Sequence, residues 1–420
     1  MMDWKMGKLV LVVALLLSQA PAISGRIVTA DGAPLRDVTI QLYRSEYIDG
    51  VLRWIGALRR TLRTDANGEF QGELPAPGTY YLSALAPGQQ SIARYYPGTV
   101  DPSQAVTIEV KSGEAVRIRD VVFGPASTFA IRGRFIKPAG VQPRTAVLSV
   151  LRVDNPPISQ MPAIRLGLNG DPELFEARVP SSGKYALSFT LKGEDAWFFG
   201  TSFVDVNNAD VENVTVVAAR GGSVAVRVLL HNEPVSVTQI HADPDNHAFL
   251  PALSQSSSAG ALALERIYAT TYKIAVEGLP ADLYISGVRF NGVDSVVPAF
   301  TPLENALEGS LDIYVTKGSP IDGSVTDENG TAVKGATVAL VPLERNRHDL
   351  YQDAASDANG IFQLEGVAPG TYKLFAWDSV PAGAFLNADF LKPFESLGRE
   401  ITVGHGALPK ESLRIIHNHP

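Results

Sequence analysis

The chain has 420 residues, 45% of them hydrophobic and 19% charged, with 37 glycines, 28 prolines and no cysteine. That length exceeds one ordinary core, suits three or four globular domains and excludes a disordered chain. The missing cysteine excludes disulfides, thiolate metal sites and a lipid-modified cysteine, and a formal net charge of −8 argues against nucleic acid as a partner.

The first residues have the form of an export signal. Lys5 and Lys8 precede the apolar run Leu9 to Leu17, and Ala20-Pro21-Ala22 supplies the small-x-small cleavage pattern. Residues 1–22 are therefore expected to be removed, leaving Ile23 first. The run is too short for a permanent span, so after removal the protein is not expected to cross a membrane. Without Asp3, Lys5 and Lys8 the remainder carries 34 basic and 43 acidic residues, net −9. Export without disulfides points to a periplasmic or extracellular protein of a bacterial envelope.

One phrase is written twice. Asp65-Ala-Asn-Gly-Glu-Phe70 runs on to Pro77-Gly-Thr-Tyr80, and Asp357-Ala-Asn-Gly-Ile-Phe362 runs on to Pro369-Gly-Thr-Tyr372. The ten-residue spacing recurs in weaker form from Phe175 to Tyr185 and from Leu262 to Tyr272, at a domain-sized period. Each copy follows a strand-like run: Ile23-Ser-Gly25, Phe129-Ala-Ile-Arg-Gly133, Ser223-Val-Ala-Val-Arg-Val228 and Ile321-Asp-Gly323. Joints are expected at Gly124-Pro125, Gly221-Gly222 and Gly318-Ser319-Pro320. The domains so divided are 23–125, 126–219, 220–318 and 319–420. Joints of a few residues make neighbouring domains touch in a semi-rigid way.

Within a repeat the apolar residues alternate, as in Val38, Ile40 and Leu42 or Ala336, Val338 and Leu340. A period of two with turn clusters about every ten residues predicts antiparallel strands stacked as two sheets. The fold class is all-β, a tandem array of prealbumin-like or Ig-like sandwiches, with short helical turns expected near Gly383 to Leu397. In the repeated phrase, Asp65, Asn67 and Gly68 suit a turn. Phe70 then opens a strand with its ring inward, and Tyr80 buries its ring while its hydroxyl finds a partner.

The glycine near each start, Asp-Ala-Asn-Gly-x-Phe and Pro-Gly-Thr-Tyr together resemble the carboxypeptidase regulatory-like domain, over 23 to about 90 and 321 to about 380. The resemblance implies a transthyretin-like β-sandwich of the carbohydrate-binding-like group, usually an accessory module. It brings no catalytic residue.

Motifs for chemistry are missing. None of the seven histidines has glutamate three positions later, and there is no His-Glu-x-x-His, Gly-x-Ser-x-Gly, phosphate loop or dinucleotide fingerprint. Asp65-x-Asn67-Gly68 resembles the start of a calcium loop, but Ala76 and Ala368 stand where an EF-hand needs glutamate. His241-Ala-Asp-Pro-Asp-Asn-His247 puts two imidazoles and two carboxylates within metal-binding reach. Its turn formers make a polar hairpin loop the expected structure, so His241, Asp243, Asp245 and His247 are metal-ligand candidates only, and no cofactor is expected.

For glycans the candidates are Trp54 with Arg53 and Arg59, and Tyr95-Tyr96. Trp54 lies on a hairpin that is longer here than in the last repeat, with 40 residues from Gly25 to Asp65 against 34 from Gly323 to Asp357. An aromatic face covers sugar C–H groups while polar neighbours hold hydroxyls; packing in the core or at a joint is the competing expectation. The function expected is that of an exported, non-enzymatic binding or spacer protein. The alternatives are a carbohydrate-binding envelope protein and a cryptic hydrolase, and the partners a polysaccharide or an envelope protein.

Overall fold

The structure, a computed structural model, describes residues 20–418 apart from 49, 88–91, 126–127, 142–144, 154–163, 166–173, 195, 246–251, 257–261 and 405–409. The export signal lies outside the described residues but for Ala20, Pro21 and Ala22. The chain falls into two compact units, one of residues 1–44 and 55–126, the other of 45–54 and 127–420.

In the first unit, Ala22–Thr29 lies between Glu69–Glu73 and two short strands, Ala115–Arg117 and Val121–Phe123. A second sheet is built on Thr39–Ile48 and Gly78–Leu85. The alternation read from the sequence decides the faces: Ile23, Ile27, Val38, Ile40 and Leu42 all lie in the core between the sheets.

The second unit holds three further cores. Around the first, the sheet Leu174–Val179, Phe129–Ile136, Val211–Val217 faces a sheet containing Thr145–Arg152, Gly183–Lys192 and Trp197–Val206. The next core is enclosed differently, by a ten-stranded sheet that folds back over itself. Ala252–Ser256 makes the crossing, pairing first with Gln239–Pro244 and then with Leu262–Ile267. The last core lies between Ser319–Thr326 with its neighbours and a sheet centred on Thr337–Pro342 and Gly370–Trp377.

Each repeat contains a parallel pair that the expected antiparallel pattern did not include. The opening strand pairs in parallel with the closing one: Ala22–Thr29 with Val121–Phe123, Phe129–Ile136 with Val211–Val217, Gly222–Leu230 with Gly309–Lys317, and Ser319–Thr326 with Glu411–Arg414. Local alternation marks which side chains turn inward but is silent about the direction of a partner about a hundred residues away.

Three side-chain devices recur. The tyrosine of every copy is buried, with Tyr80, Tyr185 and Tyr272 0% and Tyr372 1% exposed. The hydroxyls of Tyr80, Tyr185 and Tyr372 each donate to the carbonyl four residues upstream, at Ala76, Ser181 and Ala368. In the third copy the sense is reversed, and the Tyr272 hydroxyl accepts from the Tyr268 N–H at 3.0 Å. A buried phenol left without that bond costs about 1–3 kcal/mol.

The second device joins opening glycine to inward ring. Gly25 lies opposite Phe70, Gly133 opposite Phe175 and Gly323 opposite Phe362. A Cβ on Gly323 would stand 2.4 Å from the Phe362 ring, so the ring covers a backbone that only glycine leaves bare. In the third copy Val226 faces Leu262 instead, and the glycine is not needed.

The third device is the turn. The Asp65 Oδ1 accepts from the N–H groups of Asn67 and Glu69 at 2.8 and 2.9 Å, and Asp357 treats Asn359 and Ile361 alike at 2.8 Å each. Gly68 and Gly360 both take φ of +73°. The residues just before, Thr64 and Ser356, are buried hydroxyls that the sequence reading missed. Thr64 accepts from the Val38 N–H and donates to the Leu35 carbonyl; Ser356 does the same for Ala336 and Val333.

The last repeat adds a second apolar layer. Ala339, Val341, Phe375 and Trp377 point away from its main core and are covered by Phe385 and Leu391. These come from the short turns Ala384–Leu386, Ala388–Leu391 and Lys392–Phe394, in the region where helical turns were expected. In the same unit the Asn387 amide caps Phe390 N–H and donates to the Gly50 carbonyl.

Phe362 is 1% exposed, so Phe362→Ala is expected to cost about 3–5 kcal/mol in urea unfolding; a loss below about 1 kcal/mol would contradict this packing. Burial also pushes the phenols of Tyr272 and Tyr372 up to about 12. The unfolded phenol ionises near 10, so the stability they hold is complete below about pH 10 and is lost as pH rises through about 12. The urea midpoint should fall across that window. The Tyr272→Phe, Tyr372→Phe double variant should start lower at pH 7 and fall less.

Candidate functional site

The sugar-binding candidates differ in exposure. Trp54 is only 7% exposed, which removes the open ring that stacking on a sugar requires; the competing expectation of a packed ring holds. Arg53 is half-buried with its Nε enclosed and without a hydrogen-bond partner among the described residues. Arg59 is exposed. Tyr95 and Tyr96 are half-buried: the Tyr95 N–H donates to the Thr99 carbonyl at 2.7 Å, and Tyr96 packs on the first core. Arg53 and Trp54 group with the second unit, the other three with the first.

The first half of the histidine-aspartate stretch, His241 to Pro244, lies in a strand where a hairpin loop was expected. Gln239–Pro244 pairs antiparallel with Tyr272–Glu277. Ile240, Ala242 and Pro244 are buried while Asp243 and Asp245 are exposed, and this period of two outweighs the turn propensity of Asp-Pro. His241 lies 3.4 Å from the Glu277 carboxylate and Asp245 3.0 Å from the Lys273 ammonium. His247 lies outside the described residues. Among the described residues no group of three or more potential ligands comes together.

Two concave regions are charge-balanced. A shallow cavity of about 570 Å³ is lined by Arg132, Arg134, Phe175, Glu176, Glu212 and Thr215 among others. Arg132 spans Glu176, Asp210 and Glu212 at 2.8, 3.2 and 2.6 Å. The hydrogen bond from Arg132 holds the Glu176 carboxyl below its usual range, and the Ala130 N–H does so for Asp210. Neither carboxylate is poised to exchange a proton near neutrality. A second cavity of about 260 Å³ lies between the third and fourth repeats, bordered by Tyr284, Ser286, Arg347 and Pro369. There Asp349 neutralises Arg347 through two hydrogen bonds of 2.9 and 2.7 Å.

What stands out is an aromatic face on the second repeat. Trp197–Val206 turns Phe198, Val204 and Val206 into the core; Trp197, Phe199, Thr201, Phe203 and Asp205 therefore occupy its other face. Trp197 is 38% and Phe203 45% exposed. They are the only exposed aromatic side chains among the described residues. The Lys192 ammonium stands 5.3 Å from the centre of the Trp197 ring. Phe199 is covered by Tyr268 of the next repeat, ring centres 5.1 Å apart. The neighbouring strands add Thr190 opposite Phe199, Ser188 opposite Thr201, and Ser149 opposite Ser188. The alternation Trp-x-Phe-x-Thr-x-Phe signals one face of a strand, but not which face.

Residues 22–119 and 320–380 match the carboxypeptidase regulatory-like domain, which thus occurs twice in this all-β chain. Among solved structures, an ancillary pilin of Streptococcus is 10% identical over 70% of this chain and 100% of its own, with a TM-score of 0.22. The TIE protein of Bacillus anthracis is 11% identical over 91% of this chain and 68% of its own, with a TM-score of 0.18. GBS52, the minor pilin of Streptococcus agalactiae, is 13% identical over 47% and 96%, with a TM-score of 0.19. Likenesses this slight have no bearing on function. No curated protein matches the chain.

Because His241 and Asp245 already face protein partners, chelation with EDTA and addition of zinc or calcium should each leave the melting temperature unchanged. A rise of several degrees with either ion would contradict this reading of the strand.

Proposed function

We propose that the protein is exported and acts as a non-enzymatic array of β-sandwich domains that binds or spaces partners in a bacterial envelope. The observation that supports this most is where the repeated residues are spent. The Asp65 and Asp357 carboxylates hold turns, Phe70 and Phe362 fill cores, and Tyr80 and Tyr372 tie backbone. These motif residues serve the fold.

The division into 23–125, 126–219, 220–318 and 319–420 belongs to the same proposal. Its support is one core for each repeat and very short joints within the second unit. Only Gly221 separates Ala219–Arg220 from Gly222–Leu230, and only Gly318 separates Gly309–Lys317 from Ser319–Thr326. A Cβ on Gly221 would lie 2.8 Å from the Arg266 Cα, and one on Gly318 2.2 Å from the backbone of Gly366. Each joint is thus pressed against the following repeat, which suits a spacer of fixed geometry.

The test is cell fractionation together with peptidase and glycosidase assays on the purified chain. The expected outcome is an exported protein with no turnover above a heat-treated control. Retention in the cytoplasm, or turnover lost on substituting His241 or Asp243, would overturn the proposal.

A further inference from the structure

We propose that the outer face of the second repeat's larger sheet binds a glycan chain, with Trp197 and Phe203 as two stacking platforms. This rests on the binding half of the function proposed above and assigns it a place and a ligand class. Of 34 aromatic residues in the chain, the only two exposed ones among the described residues share one strand and one face. Scattered single exposures need no explanation; two on one face, with none elsewhere among the described residues, are a pattern.

The spacing favours an extended, repeating ligand. Six residues of strand separate the rings by about 20 Å, too far for one small molecule and not the contiguous apolar patch of a protein contact. Between them on the same strand lie Phe199, covered by Tyr268, and Thr201, while Thr190, Ser188 and Ser149 bring hydroxyls to this face from the neighbouring strands. Sugars offer what this surface lacks: C–H faces for the rings and hydroxyls for the strip between them. Tyr268 walls one side by covering Phe199, so the chain lies toward Gly183–Lys192, where Lys192 supplies a donor beside Trp197.

The experiment uses the full mature chain and purified polysaccharides: soluble β-glucan, xylan and amylose in native affinity gels, and insoluble cellulose, chitin and peptidoglycan in pull-downs. Trp197→Ala, Phe203→Ala and their double variant are compared with Leu174→Ala, an exposed apolar change on the opposite sheet. The expected result is retention of the wild type by at least one polysaccharide. Each single variant should weaken it about tenfold or more, Leu174→Ala should not, and melting temperatures should stay within a few degrees. Retention unchanged in the double variant would overturn the site while leaving glycan binding standing. No retention by any polysaccharide would overturn both. Concentration-dependent self-association abolished by Phe203→Ala, without retention, would make the face a protein contact and also overturn the proposal.

Discussion

The structure depends on one short bond made four times: a buried tyrosine hydroxyl held by backbone four residues upstream. A phenol ring fills the space between two sheets, but its oxygen cannot be buried unpaired without a cost comparable to a large part of a domain's stability. Returning the hydroxyl to the preceding turn satisfies the oxygen and fixes where that turn sits over the core. A hydroxyl-to-backbone corner of this kind serves Ig-type sandwiches as well. The third repeat shows that the constraint is the bond rather than its direction, since there the phenol accepts from an N–H.

Around that bond the repeats vary within limits set by packing. Where a phenylalanine crosses to the opposing strand, the residue under it is glycine; where leucine stands instead, valine fits. The buried hydroxyl beside the turn is threonine, then serine in the last repeat, and Ser254 bonds the Ile240 N–H in the third. These are exchanges of equivalent volume and hydrogen-bonding capacity. They explain how the middle copies keep a sandwich core after losing the proline-glycine turn. The last repeat goes further and buries both faces of one sheet, with Trp377 stacked on Phe375 and met edge-on by Phe394.

The same economy accounts for the surface. Charged groups pair with near neighbours, as Arg132 does with three carboxylates and Arg227 with Asp312 through two bonds of 2.7 and 2.9 Å. Such exposed pairs add little stability. Against that background an exposed tryptophan and phenylalanine on one face are the exception.

Much was determined by the sequence alone. The ten-residue interval from Phe to Tyr, the Asp-Ala-Asn-Gly turn and the period-two alternation are local, and each carries its own physical cause within a few residues. They were enough for an all-β chain of repeats, for Phe70, Tyr80, Phe362 and Tyr372 inside, and for the helical turns between Gly383 and Leu397, though not for those at Pro102–Gln104 and His348–Leu350. The tertiary structure decided what depends on distant partners: the parallel closing strand of every repeat, the folding back of the third repeat's sheet, and which aromatic rings are covered. Trp54 and Trp197 both stand in strands beside charged or polar residues, yet one is buried and the other open. Burial is a property of what packs against a face, and that neighbour can come from any distance along the chain.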